Sequence, residues 1–275
     1  FEEEEGGGEA SAVTAVETYA VPEHIDVTCA GEASHVEEFE ALARKSGCVA
    51  LMTLADGEAD MTAIPLGWIA AIKGVNARAW YLPASVEEVP LCVSRLYASD
   101  EVTCLSAYVK RDYVCLHNCG APMELSGYFD VTVAHYLLHP DMRHSLELIA
   151  SSMIGTELPP YESIAGKKGV RQLLPSQLPA DTLMSWGAAR VHAILLLHAP
   201  LLRELERQEM IPLLREIELP LIPVLADMEI TGVRVDVQAL NEAAEALTLR
   251  ITGIENEVYS LAGEEFNVGS PAKVG

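Results

Sequence analysis

Cys48-Val49-Ala50-Leu51-Met52-Thr53-Leu54 is an almost unbroken apolar run, too short for an ordinary helix and entered directly from a glycine, Gly47. A run with so little polar alternation suits a strand covered on both faces, since nothing in it favours a wet side. Working outward, Ser34-His35-Val36-Glu37 has the spacing of a capping box opening a helix that ends at Lys45, with Gly47 as its stop. Downstream, residues 66–72 and 77–82 read as two further strands with Gly74 turning between them. A helix over 85–97, a strand over 102–107, a helix over 109–118 and a strand ending at Phe129 come next, then helices over 131–138 and 145–153. From about Tyr19 to Pro140 the order is therefore α/β, a mixed sheet flanked by helices.

From Asp181 onward the pattern is helical. Residues 182–209 form one long helix and 212–228 another, with 232–235 a short extended link. Leu240, Ala244, Leu247, Ile251, Ile254, Val258 and Leu261 then alternate steps of four and three, the stripe of a helix lying along an antiparallel partner. Over residues 236–262 that helix reaches roughly 40 Å at 1.5 Å per residue, and Gly263 ends it. On this pattern Leu247 and Ile254 are expected to be buried in a helical hairpin, and partly exposed where the rest of that hairpin is absent.

Hydrophobic residues make up 50% of the 275, enough for a sizeable core. The 18 Lys and Arg against 41 Asp and Glu leave a formal charge of −23, the wrong sign for a domain that grips nucleic acid by its own field. The most apolar stretch, 193–202, is short and interrupted by His198 and Pro200, so no membrane segment is expected. Six cysteines without a signal peptide imply reduced thiols in the cytoplasm. Cys115, His117 and Cys119 do not share a helical face, so no metal site is expected there. Residues 1–18, starting at Phe1 and running through Glu2 to Glu5 and Gly6 to Gly8, have linker composition. At the other end Asn267-Val268-Gly269-Ser270-Pro271 is a turn into a helix, with Ser270 as N-cap, and the chain stops at Gly275. The whole is expected to be a fragment.

Two segments carry a family resemblance. Glu218-Leu219-Pro220-Leu221-Ile222-Pro223-Val224-Leu225-Ala226-Asp227-Met228-Glu229, then Gly232-Val233-Arg234-Val235-Asp236, then Glu257 to Asn267 and Ser270-Pro271, closely resemble bacterial family A DNA polymerases where their polymerase domain and thumb begin. Phe129-Asp130-Val131-Thr132-Val133-Ala134-His135-Tyr136-Leu137-Leu138-His139-Pro140, with Tyr161-Glu162-Ser163 and Gly166-Lys167-Lys168-Gly169, resembles the 3′–5′ exonuclease domain of the same family. The resemblance implies a ribonuclease H-like (DnaQ-like exonuclease) sheet over residues 19–208, and the thumb base and helix over 209–275.

That exonuclease works through two divalent ions held by carboxylates. On this chain its motifs fall at Met52 and Leu54, at Asp112, and at Leu183 and Gly187. One carboxylate of four is left and the tyrosine is gone, so the resemblance implies no metal site, no catalytic residue and a degenerate exonuclease domain. Asp112 is then expected to be a surface or helix-cap residue. Asp56, Glu58 and Asp60 are nearby acids of a solvated loop. Val191-His192-Ala193 imitates a palm motif without its acidic residue and is not expected to be catalytic. The family's phosphate-contacting turn falls on Asn267 and Ser270, with Lys273 beside them. The resemblance implies, as function, a part of a DNA-directed DNA polymerase of replication and repair, whose own active site, with its Mg2+, primer–template DNA and dNTPs, lies outside these residues. The segment itself is expected to be a monomer with no cofactor and weak or no DNA binding. Other readings are a working metal-dependent exonuclease of the ribonuclease D-like kind and a non-catalytic acidic interaction module.

Overall fold

Strand β2 (Cys48–Asp56) is buried at every position but the last, and the sheet is built around it. The computed structural model describes residues 20–57, 60–122, 124–169 and 171–271. Six strands, β1 (Asp26–Cys29), β2, β3 (Ile64–Ile72), β4 (Arg78–Pro83), β5 (Thr103–Ser106) and β6 (Tyr128–Asp130), lie in the order β1-β4-β3-β2-β5-β6. β2 and β3 are antiparallel, as are β3 and β4, whereas β1–β4, β2–β5 and β5–β6 are parallel. The expected mixed sheet is therefore present. β1 was not foreseen, because Asp-Val-Thr-Cys on a sheet edge shows no apolar run.

Helices cover both faces. α1 (Ala33–Ser46), α2 (Glu88–Tyr97) and α3 (Val109–Asn118) pack on one side. α4 (Val131–Leu138), α5 (Leu146–Ile154) and the long α7 (Ala180–Arg207) lie together, with α7 across β2, β3, β4 and β5. A single turn, α6 (Glu162–Ala165), precedes α7. Gly47, at φ 71°, ends α1 as expected. The capping box does not form: Glu32 is the extended N-cap residue and makes no side-chain cap, so Ser34 is the second helical residue rather than the cap. Gly67 answers a different need. It sits where the β2–β3 register slips, at φ 153°, and a Cβ there would stand 2.3 Å from the Leu82 carbonyl oxygen. No other residue fits that approach.

The helix expected over 212–228 is three pieces. α8 (Ile211–Leu213) passes into a π-helical turn, Leu214–Glu218, and then into α9 (Leu219–Thr231). Pro223 lies inside α9 and has no N–H for the carbonyl four residues back, at Leu219. The Tyr128 hydroxyl on β6 donates to that carbonyl instead, at 2.8 Å. The orphan acceptor is thereby satisfied.

The chain divides into two compact units at Ile230/Thr231. The expected boundary at 208/209 falls in the turn between α7 and α8. The second unit holds α10 (Val237–Ala262), capped by the Asp236 carboxylate on the Ala239 N–H and closed by Gly263 at φ 77°. The helix is as long as its pattern required, but its stripe is not buried: Leu247 is 57% exposed and Ile254 52%. Among the described residues the unit contains a single long helix, so it has nothing of its own to lay against the stripe. The cost of 2–5 kcal/mol that a packed leucine would give up on truncation does not apply to Leu247. Leu247→Ala is instead expected to shift stability by less than about 0.5 kcal/mol, read as an unchanged midpoint in urea. A loss above about 2 kcal/mol would mean that the stripe is covered in solution.

Candidate functional site

Between the C-terminal end of β2 and the start of α7 lies an open cleft of about 1230 Å³. β2 contributes Met52, Thr53 and Leu54, α7 contributes Leu183 and Trp186, and the β6–α4 corner contributes Asp130. Met52 and Leu54 are both buried, as is Leu183. Gly187 is buried one turn further along α7, and a Cβ there would stand 3.0 Å and 3.1 Å from two side-chain carbons of Ile69 and 3.4 Å from Met52 Cε. The structure thus brings Met52 of β2 and Gly187 of α7, two of the positions singled out in the sequence, face to face. It fills the space between them with carbon, and a carboxylate at 187 would collide with Ile69. The groups present do not fit a divalent ion, which needs several oxygen ligands.

Asp112 corrects an expectation. It is neither on the surface nor a cap but 2% exposed, and its carboxylate accepts four hydrogen bonds. Thr53 gives its backbone N–H at 3.1 Å and its hydroxyl, which makes a very short contact. Tyr97 donates its hydroxyl at 2.7 Å and Ser106 its hydroxyl at 2.6 Å. The chain continues past the end of β5 into α3, and Asp112 there takes the Thr53 N–H that a longer β5 would have taken. Burial pushes this carboxyl above the usual range, while the donors from Ser106, Thr53 and Tyr97 pull the other way. With all four donors committed, it has no lone pair facing the cleft.

Asp130 is the second buried carboxylate, and it was not singled out from the sequence. It caps α4, accepting from the backbone N–H groups of Thr132 and Val133 and from the Thr132 hydroxyl, while its other oxygen accepts from the Val109 N–H at 2.9 Å. The Asp-Val-Thr order was the available signal, a cap placed immediately after a strand. Around the cleft mouth, Lys110 pairs with Glu229 at 2.6 Å and Arg111 donates to the Gly57 carbonyl. Arg190 stacks on the Trp186 ring at 3.6 Å and donates to Glu147 at 2.5 Å and to the Pro159 carbonyl at 2.8 Å. These contacts fasten Pro159 and α5 to α7.

The other sites are placed simply. Asp56 accepts from the Ser176 N–H, while Glu58 and the side chain of Asp60 lie outside the described residues. His192 is buried, with Nε2 at 3.0 Å from the Arg78 carbonyl oxygen, and so is a core residue of α7. Asn267 folds its side-chain oxygen onto the Gly269 N–H, and Ser270 closes the turn onto the Asn267 carbonyl. Pro271 is the last described residue, and Lys273 lies outside the described residues.

No protein-family model matches the chain. Among curated proteins it is similar to DNA polymerase I of Geobacillus stearothermophilus, 36% identical over 154 residues, which is 56% of this chain and 17% of that protein. It is also similar to DNA polymerase I of Pseudomonas aeruginosa, 33% identical over 171 residues, 61% of this chain and 19% of that protein. The chain thus spans about a fifth of the length of these relatives. Among solved structures it resembles the POL domain of Pol1 from M. smegmatis in complex with DNA primer-template and dNTP. There the TM-score is 0.69 at 20% identity, over 90% of this chain and 39% of that one. It also resembles Brucella melitensis NrnC, with TM-score 0.60 at 15% identity over 76% and 94%. At such identities the structures show the fold, which is the expected exonuclease-like α/β sheet followed by a long helix.

Burial carries the Asp130 carboxyl to about 6, against the pull of its four donors. A carboxyl whose pKa is higher folded than unfolded holds its proton more tightly in the native state. Its contribution therefore favours folding at low pH and is lost as pH rises through about 4 to 6. Asp130→Asn removes this titration. The stability of the variant relative to the parent is expected to improve between pH 4 and pH 7 by up to about 3 kcal/mol, measured by urea unfolding. A difference that stays flat across that range would place the Asp130 pKa near its ordinary value.

Proposed function

We propose, from its homology to bacterial DNA polymerase I, that the chain is the part of such a polymerase in which a catalytically silent exonuclease-like domain carries the start of the polymerase portion. One observation supports the silence above others. The positions that would hold two metal ions are Met52 and Leu54, both buried, and Gly187, set close against Met52 and Ile69, and the carboxylate of Asp112 is spent on four hydrogen bonds. No oxygen among them is free to hold an ion.

A scaffold role is supported by how α9 is held. Tyr113 on α3 donates to Asp227 at 2.8 Å, Lys110 pairs with Glu229, and Tyr128 on β6 reaches the Leu219 carbonyl. The exonuclease-like sheet thus fixes the helix from which the polymerase portion departs. In this reading nucleotidyl transfer, with Mg2+, dNTPs and primer–template DNA, belongs to the parent enzyme beyond these residues. Asn267, Ser270 and Lys273 touch product-strand phosphates there. The protein works in the bacterial cytoplasm at the nucleoid, and no described helix is long and apolar enough to cross a membrane. A working exonuclease is the competing reading, favoured by the open cleft and by the likeness to NrnC.

Two measurements separate these readings. Incubated with Mn2+ and single-stranded DNA for hours, the purified chain is expected to leave the 3′ end intact, with Asp112→Ala behaving identically. Processive 3′-end loss that disappears in Asp112→Ala would establish the nuclease instead. In fluorescence anisotropy with a labelled primer–template, no saturable binding is expected in the micromolar range at physiological salt. Any low-salt binding should carry a shallow slope of about −2 to −3 in log K against log salt, as two or three neutralised phosphates would give. Tight binding with a steep slope would reveal a basic groove and count against the scaffold.

A further inference from the structure

We propose that a cavity beside the free edge of β6 is a docking site for the C-terminal end of a partner polypeptide, one that arrives extended and ends in an apolar side chain and a carboxylate. β6 is the last strand of the sheet. Its register sets Cys104 opposite Tyr128, with the Cys104 N–H on the Gly127 carbonyl. In a parallel ladder this turns the Gly127 carbonyl and the backbone groups of Phe129 toward β5. The N–H and C=O of Tyr128 therefore point out of the open edge of the sheet, the arrangement that accepts one more extended chain. Across the cavity the chain supplies Pro220 and Pro223, which have no N–H to give.

The cavity measures about 670 Å³, within the range of ligand sites, and Phe129, Leu202, Leu214 and Leu219 give it apolar walls. The chain carries 41 Asp and Glu, yet among the described residues none lines this cavity, whose basic groups are Arg215 and His198. Arg215 sits on the π-helical turn Leu214–Glu218 and is exposed. It makes no hydrogen bond or ion pair among the described residues. A guanidinium without a partner matches a carboxylate through two parallel N–H···O bonds. His198 is half-buried, lies edge-on to the Phe129 ring at 4.8 Å between centroids, and makes no hydrogen bond among the described residues either. Burial, helped by the charge of Lys73, pushes its pKa down, so it meets an incoming carboxylate as a neutral donor. Open backbone pairing, an apolar seat and a counter-charge are thus gathered in one place, which is what the end of an extended chain requires. The cavity shares no residue with the cleft between β2 and α7, so this site is separate from the exonuclease-like one.

Fluorescence anisotropy of the 275-residue chain with a short alanine peptide, labelled at its N-terminus and ending in leucine with a free carboxylate, tests the proposal. The expected result is saturable binding with a Kd below about 1 mM. Arg215→Gln, amidation of the carboxylate and N-methylation of the last two amides are each expected to weaken it by at least about tenfold, as loss of a charged or backbone hydrogen bond requires. Arg215 is exposed, and an unchanged urea midpoint verifies that its variant folds. No saturable binding, or equal affinity for the amidated peptide, would overturn the assignment. Hexanoate that displaces the peptide at equal concentration would overturn it too, by revealing a site for small carboxylates.

Discussion

A carboxylate removed from water must be given back the hydrogen bonds that water made, or it neutralises itself or unfolds its surroundings. Asp112 meets this condition with donors from β2, α2 and β5 at once. Three elements distant in sequence are thereby fixed to one point on α3. The same α3 carries Tyr113 and Lys110 outward to α9. The packing of the sheet and the placement of α9 therefore share one anchor in α3, through buried bonds to the sheet and more exposed ones to the helix.

The opposite face of β2 obeys a different rule. There α7 comes so close that Gly187 rests on Ile69 and Met52, a separation that dispersion rewards and that a longer side chain could enter only by pushing those side chains aside. A site for ions and carboxylates would need room between β2 and α7. Here that room is taken up by the close approach of the helix, so the residues at 52, 69 and 187 answer one packing demand.

Much of this was legible in the sequence where a pattern was long or a spacing rigid. The apolar β2 run, the glycine stops at 47 and 263, and the full length of α10 all come from periodicity and φ preference. β1 was not legible, because an edge strand needs no apolar alternation. The failed cap at Ser34 shows that a motif of four residues yields to where the helix begins in three dimensions. The environment of Asp112 was hidden for a stronger reason: its partners Thr53, Tyr97 and Ser106 are ordinary residues until the fold assembles them. The stripe of α10 misled in the reverse direction, since a periodic apolar face states that a partner is wanted but not that the same unit supplies one.

Tyr128 and Pro223 have a consequence for where α9 docks. A helix normally completes its own hydrogen bonds and can form before it docks. α9 lacks one such bond, and the Leu219 carbonyl is met by a hydroxyl carried by β6, so burying that part of the helix without loss depends on the sheet. Tyr128 and Pro223 lie ninety-five residues apart, so the contact joins distant parts of the chain. The proline thus acts as an address: by removing the helix's own donor it leaves one carbonyl that matches the hydroxyl β6 presents.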